Sequence, residues 1–159
     1  YNLTRESENR RAKEKALYLI EHRDHSSKEL FDKVRRSTSE ESARLAVEKM
    51  KDIGLVNDDT FARRYALELI NRKKFAPRRV EFELIKKGID REIAQEIIED
   101  IEIDVKEQIL KLLLSKYRSS VCDEKKLKRT IASLQRYGYS WEDIQSALKE
   151  LRDNFDNDL

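Results

Sequence analysis

The sequence predicts an all-α protein built from three tandem three-helix repeats, and three observations carry that prediction. With 3 Gly and 1 Pro in 159 residues, the chain lacks the turn residues that an all-β sandwich or barrel needs at nearly every strand junction. Apolar residues recur at spacings of three and four along almost its whole length, which is the period of a helix and not of a strand. Similar segments also return at intervals of about fifty residues, the mark of a structural repeat.

The elements follow in order. The first helix is carried by Ala16, Leu17 and Ile20. Ser26-Ser27-Lys28-Glu29 reads as a capping box that opens the second, which places Val34 inward and ends at Arg36-Ser37-Thr38 without a glycine. Ser39 caps the third, with Ala43, Ala46, Val47 and Met50 on one face. The second repeat opens with Phe61, Tyr65, Ala66 and Leu69; Pro77 suits the first turn of its next helix, which carries Leu84 and stops at Lys87-Gly88. Asp90 then caps a helix bearing Ala94, Ile97, Ile98 and Ile101. The third repeat runs through Ile109, Leu110, Leu113 and Leu114. Asp123 caps the helix of Leu127, Ile131 and Leu134, which stops at Tyr137-Gly138, and Ser140 caps the helix of Ile144, Ala147, Leu148 and Leu151. The caps Ser39, Asp90 and Ser140 lie 51 and 50 residues apart. Each is followed by apolar residues at the same four offsets, so the three helices are expected to bury equivalent faces. The expected divisions are residues 1–57, 58–103 and 104–159. Because each repeat holds few large apolar residues, it is expected to borrow burial from its neighbours in an elongated module, with curvature left open.

Composition narrows the function. No apolar run approaches the roughly 20 residues that cross a bilayer, and the opening residues lack a secretory signal; the expectation is a soluble cytoplasmic protein that does not meet a membrane. A sequence opening on Tyr1 is expected to begin inside a longer chain. The single Cys122 has no partner for an internal disulfide. His22 and His25 have the spacing to face one metal, yet no nearby His or Cys completes a ligand set, so a turn histidine bonded to a backbone group is the favoured reading. Gly54, Gly88 and Gly138 are scattered at element ends and compose no phosphate-cradling loop. No nucleophile with a base, no paired carboxylates and no metal set stand out; no enzymatic activity and no cofactor are expected.

Charge is the informative feature. The chain carries 34 Lys or Arg and 32 Asp or Glu, 42% charged residues for a net charge of +2. The two signs are unevenly distributed. Residues 63–91 hold ten basic and four acidic side chains, 116–136 hold seven and two, and 96–107 reverse the balance with six acidic and one basic. Clustered cations attract phosphates and release counterions on binding, whereas acidic stretches repel nucleic acid and suit a basic protein surface. The candidate contacts to nucleic acid or a partner are Arg63, Arg64, Arg72, Lys73, Lys74, Arg78, Arg79, Lys86, Lys87, Lys125, Lys126, Lys128 and Arg129. Against this stands a solvated helix face laced by pairs one turn apart, such as Arg64 with Glu68, or Glu83 with Lys87 or Arg79. The runs Arg72-Lys73-Lys74 and Lys125-Lys126 are the better contact candidates. Tyr18, Tyr65, Tyr117, Tyr137, Tyr139 and Trp141 are able to stack on unpaired bases, but their positions favour packing.

Three stretches resemble the RecX family, bacterial regulators of the RecA recombinase. They are Ala16-Leu17-Tyr18-Leu19-Ile20 with Arg23-Asp24-His25-Ser26-Ser27-Lys28-Glu29-Leu30; Gly54-Leu55-Val56-Asn57-Asp58-Asp59-Thr60-Phe61-Ala62 with Pro77-Arg78-Arg79-Val80 and Glu83-Leu84-Ile85-Lys86-Lys87-Gly88-Ile89; and Arg136-Tyr137-Gly138-Tyr139-Ser140. The pattern breaks before Pro77, where the family usually has glycines and this chain has Lys74 and Ala76. The resemblance implies a tandem array of three-helix units that binds RecA and DNA and lodges in the groove of the RecA filament; the partners expected are that filament and single- or double-stranded DNA, with the chain a monomer. It further implies inhibition of strand exchange and co-protease activity, hence a role in recombination and DNA repair. A tandem sequence-specific DNA-binding protein is the competing reading, but its presumptive reading helices, Glu40 to Met50, Arg91 to Ile101 and Trp141 to Leu151, are rich in acids and poor in base-reading Arg or Asn. A helical adaptor that contacts only proteins is the third.

Overall fold

The predicted caps mark helix starts. The Ser26 hydroxyl accepts a hydrogen bond from the Glu29 amide, Ser39 from that of Ser42, Asp123 from those of Lys125 and Lys126, and Ser140 from that of Asp143; each satisfies a first-turn N–H that has no partner within its helix. A computed structural model describes residues 2–157. Among them are nine α-helices, one 3-10 turn and no strand. They are α1 (Asn2–His22), α2 (Ser27–Val34), α3 (Glu40–Asp52), α4 (Asp58–Asn71), α5 (Pro77–Lys86), α6 (Arg91–Ile101), α7 (Val105–Leu114), α8 (Glu124–Arg136) and α9 (Trp141–Asn157), with the 3-10 turn at Arg118–Ser120. The chain is an all-α helical repeat, and Pro77 stands at the first position of its helix, where a missing N–H costs nothing.

The chain divides into two compact units. One comprises the residues up to 65 together with 83–94, the other 66–82 together with 95 onward. In the first, α1 packs along α3, and α2 closes over both. Its core gathers Ala12, Ala16, Leu30, Val34, Ala43, Ala46, Val47, Met50 and Val56. In the second, α7, α8 and α9 surround Ile109, Leu112, Leu113, Leu134, Tyr139, Ile144, Ala147, Leu148 and Leu151.

The equivalent stripes are buried as expected in α3 and α9, whereas in α6 Ala94 and Ile97 are buried and Ile98 and Ile101 only partly. Two stripes need correction. In α1, Leu17 is 39% exposed and Ala12 joins Ala16 inside. In α7, Leu114 is 52% exposed and Leu112 takes the inward place. With six apolar residues among its ten, α7 offers more than one apolar face, and the spacing of Leu112 and Leu113 from Ile109 selects the one that meets α9.

Two glycines do more than end helices. A Cβ on Gly88 would lie 2.5 Å from the Lys28 Cβ in the first turn of α2, and one on Gly138 would lie 2.9 Å from the Arg79 backbone nitrogen in the first turn of α5. Both have positive φ, +89° and +101°. The same contact thus recurs in each unit: the turn after one repeat's middle helix receives the start of the preceding repeat's middle helix.

The linker before Pro77, where the chain departs from the family's glycines, adopts the left-handed conformation all the same, with Lys74 at φ +60°. Tyr139 holds it there. The buried Tyr139 hydroxyl donates to the Lys74 carbonyl and accepts from the Gln108 side chain, whose amide also donates to the Phe75 carbonyl. Burial pushes the Tyr139 phenol up to about 12, against the opposing pull of the Gln108 hydrogen bond.

Candidate nucleic-acid interface

An exposed cation binds phosphate best when no carboxylate already holds it, because an existing pair must be broken first. The structure sorts the thirteen candidates by this test. Arg63 and Arg64 on α4 pair with Asp59 at 3.3 Å and Asp24 at 3.1 Å, and Arg72, just past its end, with Glu68 at 3.4 Å. Arg64 therefore reaches across to the turn after α1 and leaves Glu68 to Arg72. At the end of α5, Lys86 lies 3.7 Å from Glu83, and Lys87 donates to Glu29 while its amine sits over the Tyr65 ring. Arg79 stacks on Phe75, 4.5 Å from its ring centre, and donates to the Arg136 carbonyl, closing the C-terminus of α8.

The remaining seven are Lys73, Lys74, Arg78, Lys125, Lys126, Lys128 and Arg129; among the described residues none of these has a side-chain ion pair. All lie in the second unit. On α8, Lys125, Arg129 and Arg136 fall within about 40° of one another around the helix axis, with Lys128 on their flank, opposite the buried Thr130 and Leu134. This basic stripe spans roughly 16 Å.

At its Arg136 end the stripe meets an open cleft of about 500 Å³ bordered by Arg78, Phe82, Gln135, Arg136, Trp141 and Glu142. Phe82 is 57% and Trp141 52% exposed. Neither they nor Arg136 are among the candidate contacts, although the sequence offers Trp141 as a residue able to stack on a base. A signal was present: Phe82 stands apart from Val80 and Leu84 on α5, and Trp141 directly follows its cap, outside the buried stripe of α9.

The first unit also has a cationic cleft, lined by Lys28, Lys33, Arg36, Lys86 and Lys87, but it is internally compensated by Glu29, Asp32 and Glu83. Glu29 is its hub. Burial would raise this carboxyl, but hydrogen bonds from Arg23 and Lys87 outweigh it and hold the pKa at about 2. That engagement also explains why only half of the expected capping box forms: the Ser26 hydroxyl receives the Glu29 amide, but the Glu29 carboxylate turns to Arg23 and Lys87.

The histidines take backbone-bonded positions. His22 Nδ1 lies 2.8 Å from the Tyr18 carbonyl, and His25 Nδ1 lies 2.9 Å from that of Arg23 while Nε2 receives the Lys33 amine. Burial, with the charges of Arg23 and Lys33, lowers the His25 pKa despite the hydrogen bond to the Arg23 carbonyl, favouring the neutral ring. No cluster of three or more His, Cys, Asp or Glu able to hold a metal occurs among the described residues, and no described helix is long and apolar enough to cross a membrane. Cys122 is exposed.

Known proteins share this architecture. A family model described as RecX, second three-helix domain, matches residues 57–98. The regulatory protein RecX of Caldanaerobacter subterraneus subsp. tengcongensis is 31% identical over 143 residues, covering 89% of this chain and 71% of that protein. The regulatory protein RecX of Clostridioides difficile is 30% identical over 149 residues, covering 92% and 70%. The crystal structure of RecX from Lactobacillus salivarius superposes with a TM-score of 0.72 at 25% identity, covering 92% of this chain and 97% of that one. With relatives aligned along most of both chains and the same fold in a solved structure, this chain belongs to the RecX family of regulatory proteins.

Proposed function

We propose that this chain binds the RecA filament together with its DNA and restrains strand exchange and co-protease activity, acting as a cytoplasmic monomer in recombination and DNA repair. The supporting observation is the segregation of the candidate cations: Arg63, Arg64, Lys86 and Lys87 in the first unit are each matched by a carboxylate, whereas the α8 stripe and the Lys73-Lys74 linker carry no ion pairs. Phosphates can bind there without displacing a protein carboxylate. Such contacts do not depend on sequence, as a regulator acting along any filament requires. The acidic residues Glu96, Glu99 and Glu102, exposed and without ion pairs among the described residues, are assigned to a basic surface of RecA.

The test is RecA's DNA-dependent ATPase with and without the protein. A dose-dependent fall is expected, and an unchanged rate at saturating protein overturns the reading.

A further inference from the structure

Exposed apolar side chains are informative where they gather at one place, and two large aromatic rings at one cleft make such a place. Phe82 and Trp141 border the same open cleft, and Arg78 and Arg136 border it too. The guanidinium groups of both arginines are without hydrogen bonds or ion pairs among the described residues. Glu142 contributes a carboxylate at the cleft's edge. We infer that this cleft takes an unpaired base of a single-stranded nucleic acid, stacked on Trp141 and Phe82, with its flanking phosphates held by Arg78, Arg136 and the basic stripe of α8.

The inference rests on the proposed nucleic-acid binding and adds a strand selectivity that phosphate contacts alone do not confer. Three features favour a nucleobase over a protein side chain. The aromatic pair adjoins a run of unpaired cations rather than an apolar surface, giving the alternation of base platform and phosphate clamp that single strands require. The cleft volume, about 500 Å³, lies within the range of small-molecule sites. Glu142 disfavours a phosphate at its own corner but can accept an N–H from a base edge, as carboxylates do from cytosine.

The chain contains a single tryptophan, so the cleft reports on itself. Intrinsic fluorescence is followed while the protein is titrated with a thymidine oligonucleotide and, separately, with a duplex of equal length. Quenching that saturates with single-strand binding and is absent with the duplex is expected. Trp141→Ala should weaken oligonucleotide binding about fivefold or more, with the slope of affinity against salt unchanged because no charge is lost. Trp141→Phe should recover much of the affinity, and Trp141→Leu, apolar but without a π face, should not. Salt-dependent binding without quenching, and with full affinity in Trp141→Ala, overturns the stacking cleft while leaving the proposed function standing. Unchanged oligonucleotide affinity with weakened inhibition of the RecA ATPase assigns the cleft to a protein partner and overturns it as well. No binding of either nucleic acid at low salt overturns the DNA-binding part of the proposed function together with the cleft.

Discussion

Lys74 holds a left-handed backbone at φ +60°, where side chains other than glycine are strained by about 1–2 kcal/mol. Tyr139 binds its carbonyl, so Lys74→Gly keeps the tether and removes the strain. After the greater freedom of glycine in the unfolded chain is deducted, about 0.5–1 kcal/mol of added stability is expected from the urea midpoint. Glu29 acts in the opposite sense. Its carboxyl falls from the usual 4.5 to about 2, so the stability it contributes is complete above pH 4.5 and lost as pH falls toward 2. Glu29→Gln should cost roughly 2 kcal/mol near neutral pH, discounted for the half-exposed Arg23, and the gap to the unmodified protein should close in acid. A gap of constant size from pH 7 to pH 2 contradicts this. Local chemistry of this kind was partly legible beforehand. A histidine beside a serine cap announces a turn, as at His25, but the removal of Glu29 from its capping box depends on Arg23 and on Lys87, which is 58 residues away.

At the level of helices the sequence was more informative. Caps, stop glycines and apolar stripes are local signals, and Ser39, Ser140, Asp123 and Pro77 all stand where such signals put them. Leu114 and Leu17 were misplaced because an apolar residue announces burial without saying which of two apolar faces has a neighbour. The glycines were legible as stops but not as contact points, since the side that crowds them comes from another repeat. That distinction is measurable. Gly138→Ala must accommodate both a positive φ and the Arg79 backbone, and should cost about 3 kcal/mol or more. Gly54→Ala has φ +79° but nothing within 4 Å of the new methyl, and should cost only about 1–2 kcal/mol. Equal losses in urea unfolding reject the close-contact reading of Gly138.

Over the whole chain, charge runs in the sequence mark the cation-rich segments but not which cations are already engaged, because partners such as Asp24 for Arg64 lie far away in sequence. Pairing gives the candidates a rank. Replacing Lys125, Lys128 and Arg129 together by Ala should reduce the slope of log affinity for single-stranded DNA against log salt by about 2, while the same change at Arg63, Arg64 and Arg72 should leave it nearly intact. Equal effects of the two triples exclude a role for ion pairing in the choice. The exposed aromatics were the least legible feature, since Phe82 and Trp141 belong to different helices and only the fold puts them on one cleft. The division of the chain into two interleaved units also bears on its synthesis. Residues 83–94 belong with the N-terminal unit, although 66–82 precede them and belong with the other. On the ribosome, α1, α2 and α3 therefore emerge well before the last of their companions, and this half of the protein must wait, incomplete, until residue 94 has left the exit tunnel.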